Sequence, residues 1–298
     1  MNLAHPIRIA LLSASVGWPA ACASSPATAP QAPVTGAEPA IQETGLRDHK
    51  QQVIQLLKSL ETGDPAPLAV INPGKYVQHN LAVADGPEGV RSFVASLPRG
   101  TTKVHTVRVI QDGDFVVAHT EYNLFGPKIG FDVFRYEGEQ IVEHWDNLQE
   151  TAARPSPSGH TMTDGPTTVS DLDKTDANKA LMTTYMDDLL QGRKEKFASY
   201  YDGNNYIQHS PQVGDGLTGL FAGLQALAKQ GLAVKYTSVK RILGEGNFVM
   251  VISEGTFGDK TIAFYDYYRI QDGKIAEHWD VLEPIPPRAS WKNPNGKF

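Results

Sequence analysis

Apolar residues recur at helical spacing in two places along the chain. Val53, Ile54, Leu56, Leu57 and Leu60 form one stripe; Leu181, Met182, Tyr185, Met186, Leu189 and Leu190 form the other. Gly63 and Gly192 stand where these helices should stop. Each stripe is followed by a short second helix, then by a helix over Glu88 to Leu97 or Leu217 to Lys229. Four strand-like runs come next: 102–111, 114–125, 128–137 and 140–149, then 234–243, 246–257, 260–271 and 274–282. Gln111-Asp112-Gly113 and Gln271-Asp272-Gly273 are hairpin signals. Helices first and a strand meander after predict an α+β class, with an antiparallel sheet wrapped against helices, twice over.

The two halves share residues as well as pattern. Tyr76-Val77-Gln78-His79, Asp85-Gly86 and Gly89 return 130 positions later as Tyr206-Ile207-Gln208-His209, Asp215-Gly216 and Gly219. Glu143-His144-Trp145-Asp146 returns 134 positions later as Glu277-His278-Trp279-Asp280. The second copy therefore carries a net insertion of four residues in between. Fixed spacing across two blocks marks a duplication. The expected organisation is an export signal over 1–22, a flexible tether over 23–45, domain 1 over 46–150, a linker over 151–174, domain 2 over 175–283 and a tail over 284–298 without regular structure.

Composition narrows the function. Net charge is −6 with no basic run, which argues against a nucleic-acid partner. The lone Cys22 excludes an internal disulfide and every cysteine-based metal site. Residues 1–22 hold one formal charge, Arg8, then an apolar stretch from Ile9 to Trp18 too short to span a bilayer. Small residues follow, as in a secretory signal. Pro19-Ala20-Ala21-Cys22 fits either a plain cleavage site or a bacterial lipoprotein box with Cys22 lipidated. The expected location is the periplasm or cell envelope, with membrane attachment only through that lipid.

The last strand of each copy is the chemical candidate. Side chains alternate faces along a strand. His144 and Asp146 thus share one face, Glu143 and Trp145 the other, and likewise His278 and Asp280 against Glu277 and Trp279. A carboxylate on an apolar face has its pKa raised by desolvation and can serve as acid or base. The catalytic candidates are therefore Asp146, His144, Asp280 and His278. Tyr76, His79, Tyr206, His209, Trp145 and Trp279 are candidate ligand contacts. The tryptophans would also pack where sheets meet, and the loop histidines would close a pocket mouth or bond loop backbone. Asp85 and Asp215 read as turn residues and helix caps. Glu121 and His119 read as pocket lining or edge charge. Asp132 with Arg135, and Asp266 with Arg269, read as a salt-bridged strand surface. His79, His144 and Asp146 would make a two-His-one-carboxylate set, but no local ligand motif accompanies them, and no metal or cofactor is assigned. Hydrolase elbows, phosphate loops and dinucleotide fingerprints are missing from the sequence.

Tyr206-Ile207-Gln208-His209-Ser210-Pro211, and Asp266-Tyr267-Tyr268-Arg269 running on to Glu277-His278-Trp279-Asp280, resemble the SnoaL-like polyketide cyclases of the nuclear transport factor 2-like superfamily. The first copy departs at Asn80-Leu81 and at Glu137-Gly138-Glu139. The resemblance covers about 46–150 and 175–283. It implies cone-shaped domains, a strongly curved sheet with a pocket at the wide end, and chemistry without cofactor. In the cyclases a pocket Asp is the acid-base of an intramolecular aldol condensation; the matching residues are Asp146 and Asp280, with His144, His278, His79 and His209 as partners. Members also dimerise through the sheet, so the two copies are expected to form an internal pseudo-dimer with Trp145 and Trp279 at its junction. Three functions remain open: a cofactor-free lyase or isomerase on a small carbonyl compound, a binder of a small hydrophobic ligand, and a cell-envelope interaction scaffold.

Overall fold

A computed structural model describes residues 48–298. The export signal, the tether and Cys22 lie outside the described residues. Helix α1 (His49–Thr62) starts because the Asp48 side chain accepts from the backbone N–H of Lys50 and Gln51, and stops at Gly63, whose φ of 71° lies in the left-handed region that favours glycine. It buries Val53, Leu56 and Leu57. A 3-10 turn (Ala66–Val70) leads to β1 (Val77–Gln78) and α2 (Gly86–Ser96). The meander β2 (Lys103–Asp112), β3 (Phe115–Asn123), β4 (Pro127–Glu137) and β5 (Gln140–Glu150) follows. The second half repeats this with α3 (Thr175–Leu190), β6 (Ile207–Gln208), α4 (Gly216–Lys229), β7 (Val234–Glu245), β8 (Phe248–Phe257), β9 (Lys260–Gln271) and β10 (Lys274–Pro284). The fold is α+β, and the two sheets have matching orders, β1-β5-β4-β3-β2 and β6-β10-β9-β8-β7.

One expectation needs correcting here. The Tyr-x-Gln-His element is not simply loop: Val77 and Gln78 pair in parallel with Glu143 and His144, as Ile207 and Gln208 do with Glu277 and His278. Bulges at Thr106/Arg108, Tyr236/Ser238 and Val239/Arg241 bend the sheets around their helices.

Each sheet buries its concave face against its own helices. The other faces bury each other: Phe131, Val133 and Trp145 of the first sheet share a core with Tyr265, Tyr267, Trp279 and Val281 of the second. Fully burying a large apolar side chain is worth about 1.5–3 kcal/mol, so this seam is a principal source of stability. Its polar contacts are reciprocal. Arg108 lies over Trp279 at 4.3 Å and Arg241 over Trp145 at 4.2 Å. Lys50 pairs with Glu245, and Lys179 with Asp112. Asp112 accepts from the Gly244 N–H, and Glu245 from the Gln111 N–H. The contacts thus run in both directions across the seam.

The linker and the tail also answer each other. Arg108 donates to the carbonyls of Thr163, Asp164 and Pro166, pinning the linker to the seam. The tail is irregular apart from a 3-10 turn (Arg288–Ser290), yet it is anchored rather than merely laid on the surface. Asn293 donates to the carbonyls of Asn80 and Val83, and Asn295 to that of Gln78 and to Asp85. Ser158 Oγ accepts from the Asp215 N–H and His160 bonds the Asp215 side chain, so the strap that follows β5 crosses to the second half, and the strap that follows β10 crosses back to the first.

Candidate functional site

β10 turns His278 and Asp280 toward the helices of its own half, and Glu277 and Trp279 toward the seam. The concave side encloses a cavity of about 810 Å³, walled by Tyr185, Tyr206, Leu220, Leu224, Tyr236 and Phe264, with Gln208, Ser210, His278 and Asp280 at its polar end. That volume lies in the range of small-molecule sites. The matching cavity of the first half is about 70 Å³, room for little more than water. Its end is formed by Tyr76, Gln78, Asn80, Asp132, His144 and Asp146.

The polar end of the larger cavity is a relay. His278 Nδ1 lies 3.1 Å from Gln208 Oε1, and His278 Nε2 lies 3.1 Å from Asp266 Oδ1. Both ring nitrogens face acceptor oxygens, so the ring is held from both sides and a shared proton lies between Nε2 and the carboxylate. Gln208 Oε1 also accepts from Ser210 N–H, which fixes the amide's orientation. Gln208 Nε2 then donates to the Tyr206 hydroxyl at 2.8 Å, which leaves the Tyr206 proton free for another acceptor. Tyr236 O–H donates to Asp266. Burial pushes the phenols of Tyr206 and Tyr236 well above their ordinary range, so both stay neutral donors.

Asp280 stands apart from the relay. Its Oδ1 has no hydrogen-bond partner among the described residues, and the same is true of Asp146 Oδ1 in the first half. Burial raises its pKa to about 6, with the nearby Asp266 carboxylate adding to the rise and His278 opposing it. The first half differs in what else surrounds the carboxylate. Asn80 Nδ2 donates to Asp146 Oδ2 at 2.6 Å, and Lys297 Nζ, from the tail, sits 3.9 Å from Asp146 Oδ1 and 2.6 Å from Glu283. Asp146 is therefore held by an amide and an ammonium in a nearly filled space. His144 is placed as His278 is, between Gln78 and Asp132.

Several expectations about site residues change. Trp145 and Trp279 line neither cavity; they belong to the seam. His79 and His209 are likewise outside the cavities, stacked on Trp145 at 4.8 Å and Trp279 at 4.6 Å. Their Nε2 atoms bond Glu143 and Glu277, which Arg135 and Arg269 hold from the other side. Asp132 and Asp266 do not pair with those arginines, because residues three apart on a strand point to opposite faces. His119 is buried in the seam, stacked on Phe131, and Glu121 pairs with His105 at the edge. Asp85 and Asp215 cap no helix; each accepts from the backbone N–H of Gln78 or Gln208 and so braces β1 or β6. Gln78 and Gln208, which the sequence assigns no role, and Asp132 and Asp266, expected on a salt-bridged surface, instead hold His144 and His278. Alternation along Tyr-x-Gln-His would have selected Gln with Tyr in place of His.

Asp266, His278 and Asp280 offer ligand atoms within 4.8 Å of one another, as do Asp132, His144 and Asp146. Each set holds a single imidazole, whose two nitrogens bond Gln208 and Asp266 in one and Gln78 and Asp132 in the other.

No family model matches the chain, and no curated protein matches it. Parts of it are similar to solved structures. TsrD from Streptomyces laurentii is 24% identical over 34% of this chain and 90% of its own, with a TM-score of 0.29. A candidate ketosteroid isomerase from Kribbella flavida is 23% identical over 39% and 87%, with a TM-score of 0.30. IdmH, a candidate polyketide cyclase from Streptomyces antibioticus, is 19% identical over 35% and 93%, with a TM-score of 0.30.

Proposed function

We propose that this chain is an exported tandem SnoaL-like protein whose second domain is a cofactor-free acid-base catalyst acting on a small carbonyl compound. The observation that carries the reading is Asp280, a carboxylate with an unpartnered oxygen and a pKa near 6 at the end of an 810 Å³ cavity. A base poised close to the working pH is suited to removing a proton α to a carbonyl. Asp280 takes that proton, and the C–H electron pair moves to the carbonyl oxygen, where the free Tyr206 proton meets the developing enolate. The enolate carbon attacks a second carbonyl of the same molecule, or is reprotonated at another position; Asp280 returns its proton to the alkoxide or to carbon. Gln208 orients Tyr206 and is itself held by His278, which Asp266 holds from behind the cavity wall.

The first domain acts as the structural partner of a fused pseudo-dimer, its Asp146 tied up by Asn80 and Lys297. Export through residues 1–22 places the activity in the periplasm or cell envelope, and the mass of the mature N-terminal peptide tests both cleavage and lipidation of Cys22.

The experiment is α-carbon hydrogen–deuterium exchange, followed by NMR across a panel of ketones and β-keto esters. Asp280→Asn should abolish exchange and Asp146→Asn should leave it intact. Exchange surviving in Asp280→Asn would refute the assignment. The wide apolar walls favour one second reading, a binder of a small hydrophobic ligand. In that case Asp280→Asn would leave affinity unchanged while Leu224→Trp, which fills the cavity, removes it.

A further inference from the structure

Outside the cavity, a second cluster forms where the linker crosses domain 2. His209 Nε2 bonds Glu277 Oε1 at 2.8 Å, and Glu277 is held in turn by Arg269. His160, from the linker, bonds Asp215 Oδ2 through its own Nε2 at 3.1 Å. Each imidazole thus has a carboxylate at Nε2 to take its N–H, the arrangement that fixes the tautomer of a metal-binding histidine and raises its basicity. Both Nδ1 atoms then present lone pairs, and both point at Asp164: His160 Nδ1 is 3.4 Å from Oδ2 and His209 Nδ1 2.8 Å from Oδ1. The Thr161 carbonyl lies 2.9 Å from the same His209 nitrogen. Two imidazole lone pairs, a carboxylate and a carbonyl converge with only acceptors facing one another. With both Nε2 atoms protonated, that convergence calls for a cation or for further protons on the Nδ1 atoms.

We propose that His160, His209, Asp164 and the Thr161 carbonyl form a binding site for a divalent transition ion, zinc in the first instance, that fastens the linker to domain 2. A tetrahedral zinc with bonds near 2.0–2.1 Å separates its ligand atoms by about 3.3 Å; the three contacts from the Nδ1 atoms to Asp164 and to the Thr161 carbonyl run from 2.8 to 3.4 Å, and the ligand atoms of His160, His209 and Asp164 all lie within 4.8 Å of one another. Imidazole ligands favour zinc over magnesium or calcium. His160 and Asp164 are partly exposed, so an ion reaches the site from solvent. Among the described residues the first half has no counterpart. There the tail brings only the Gly296 carbonyl to His79 Nδ1, and 134 positions beyond His160 and Asp164 stand Pro294 and Phe298.

The test uses the mature chain, stripped with chelator and titrated with zinc chloride, magnesium chloride serving as control. Calorimetry and elemental analysis should find one zinc per chain, and thermal unfolding should move to higher temperature with zinc only. His160→Ala and Asp164→Asn, both on the partly exposed linker and checked for native circular dichroism, should weaken zinc roughly 100-fold, as expected for a lost ligand or its support. Asp280→Asn should bind zinc as the wild type does, which separates this site from the cavity cluster. No zinc uptake at micromolar concentration, or equal uptake by all three variants, would overturn the proposal and leave protons on the Nδ1 atoms as the positive charge.

Discussion

The ionisation that arms Asp280 should also weaken the fold. In the unfolded chain this carboxyl titrates near 3.8, and in the folded protein near 6. Between those values the folded state keeps its proton and the unfolded state has lost it. Stability therefore falls as pH rises through that window, and the loss is complete above about 6. The gap between the two values corresponds to ~3 kcal/mol at most, since one pH unit is worth ~1.4 kcal/mol. Asp280→Asn is a neutral, near-isosteric replacement and carries no such dependence. Urea unfolding of wild type and variant across acid to neutral pH reports on this carboxyl and its coupling to Asp266 and His278, because titrating groups that do not interact with Asp280 cancel in the difference. The variant should gain on the wild type by up to ~3 kcal/mol between about pH 4 and about pH 7, while wild-type exchange activity rises through about pH 6. A difference that stays constant with pH, or that grows toward acid, would show that Asp280 is not a desolvated carboxylate and would remove the base from the mechanism.

Three further outcomes follow from the packing. Lys297→Met strips the ammonium from Glu283, whose pKa burial already raises, and from Asp146; it should cost roughly 2 kcal/mol at neutral pH by chemical denaturation and less in acid, where the carboxyls take up protons. Arg108→Ala leaves three linker carbonyls without their donor and Trp279 without its stacked guanidinium, so trypsin or a broader protease should cut within 151–166 much faster than in the wild type, with a stability loss of roughly 3 kcal/mol. Trp145→Ala opens the seam between the sheets and should cost about 3–5 kcal/mol, read from unfolding midpoints, whereas it should leave ligand affinity of the 810 Å³ cavity nearly unchanged.

Much of the local structure was legible along the chain because it depends on neighbours in sequence. The apolar stripe from Val53 to Leu60 predicts α1, and the Asp-Gly pairs predict hairpins; Asp272 and Gly273, with φ of 50° and 70°, adopt the left-handed turn that such pairs favour. Alternation along β5 and β10 separates His and Asp from Glu and Trp. The same rule applied to Asp132 and Arg135 rules out their pairing, and applied to Tyr76 through His79 it groups Gln78 with the tyrosine; these signals were present and unread. The parallel pairing of β1 with β5 was not legible, since two residues carry no periodicity of their own and join the sheet only through a strand more than sixty positions away.

The amino-acid sequence by itself determined the duplication, the α+β class, and which side chains of each last strand share a face, because repeats and periodicity are properties of order along a chain. Only the tertiary structure decided that the cavities differ more than tenfold in volume, that Asp146 is answered by a lysine from the far end of the chain while Asp280 is not, and that each half's trailing strap crosses to the other. Void volume and desolvation arise from residues that meet across long sequence separations, where no local pattern records the meeting.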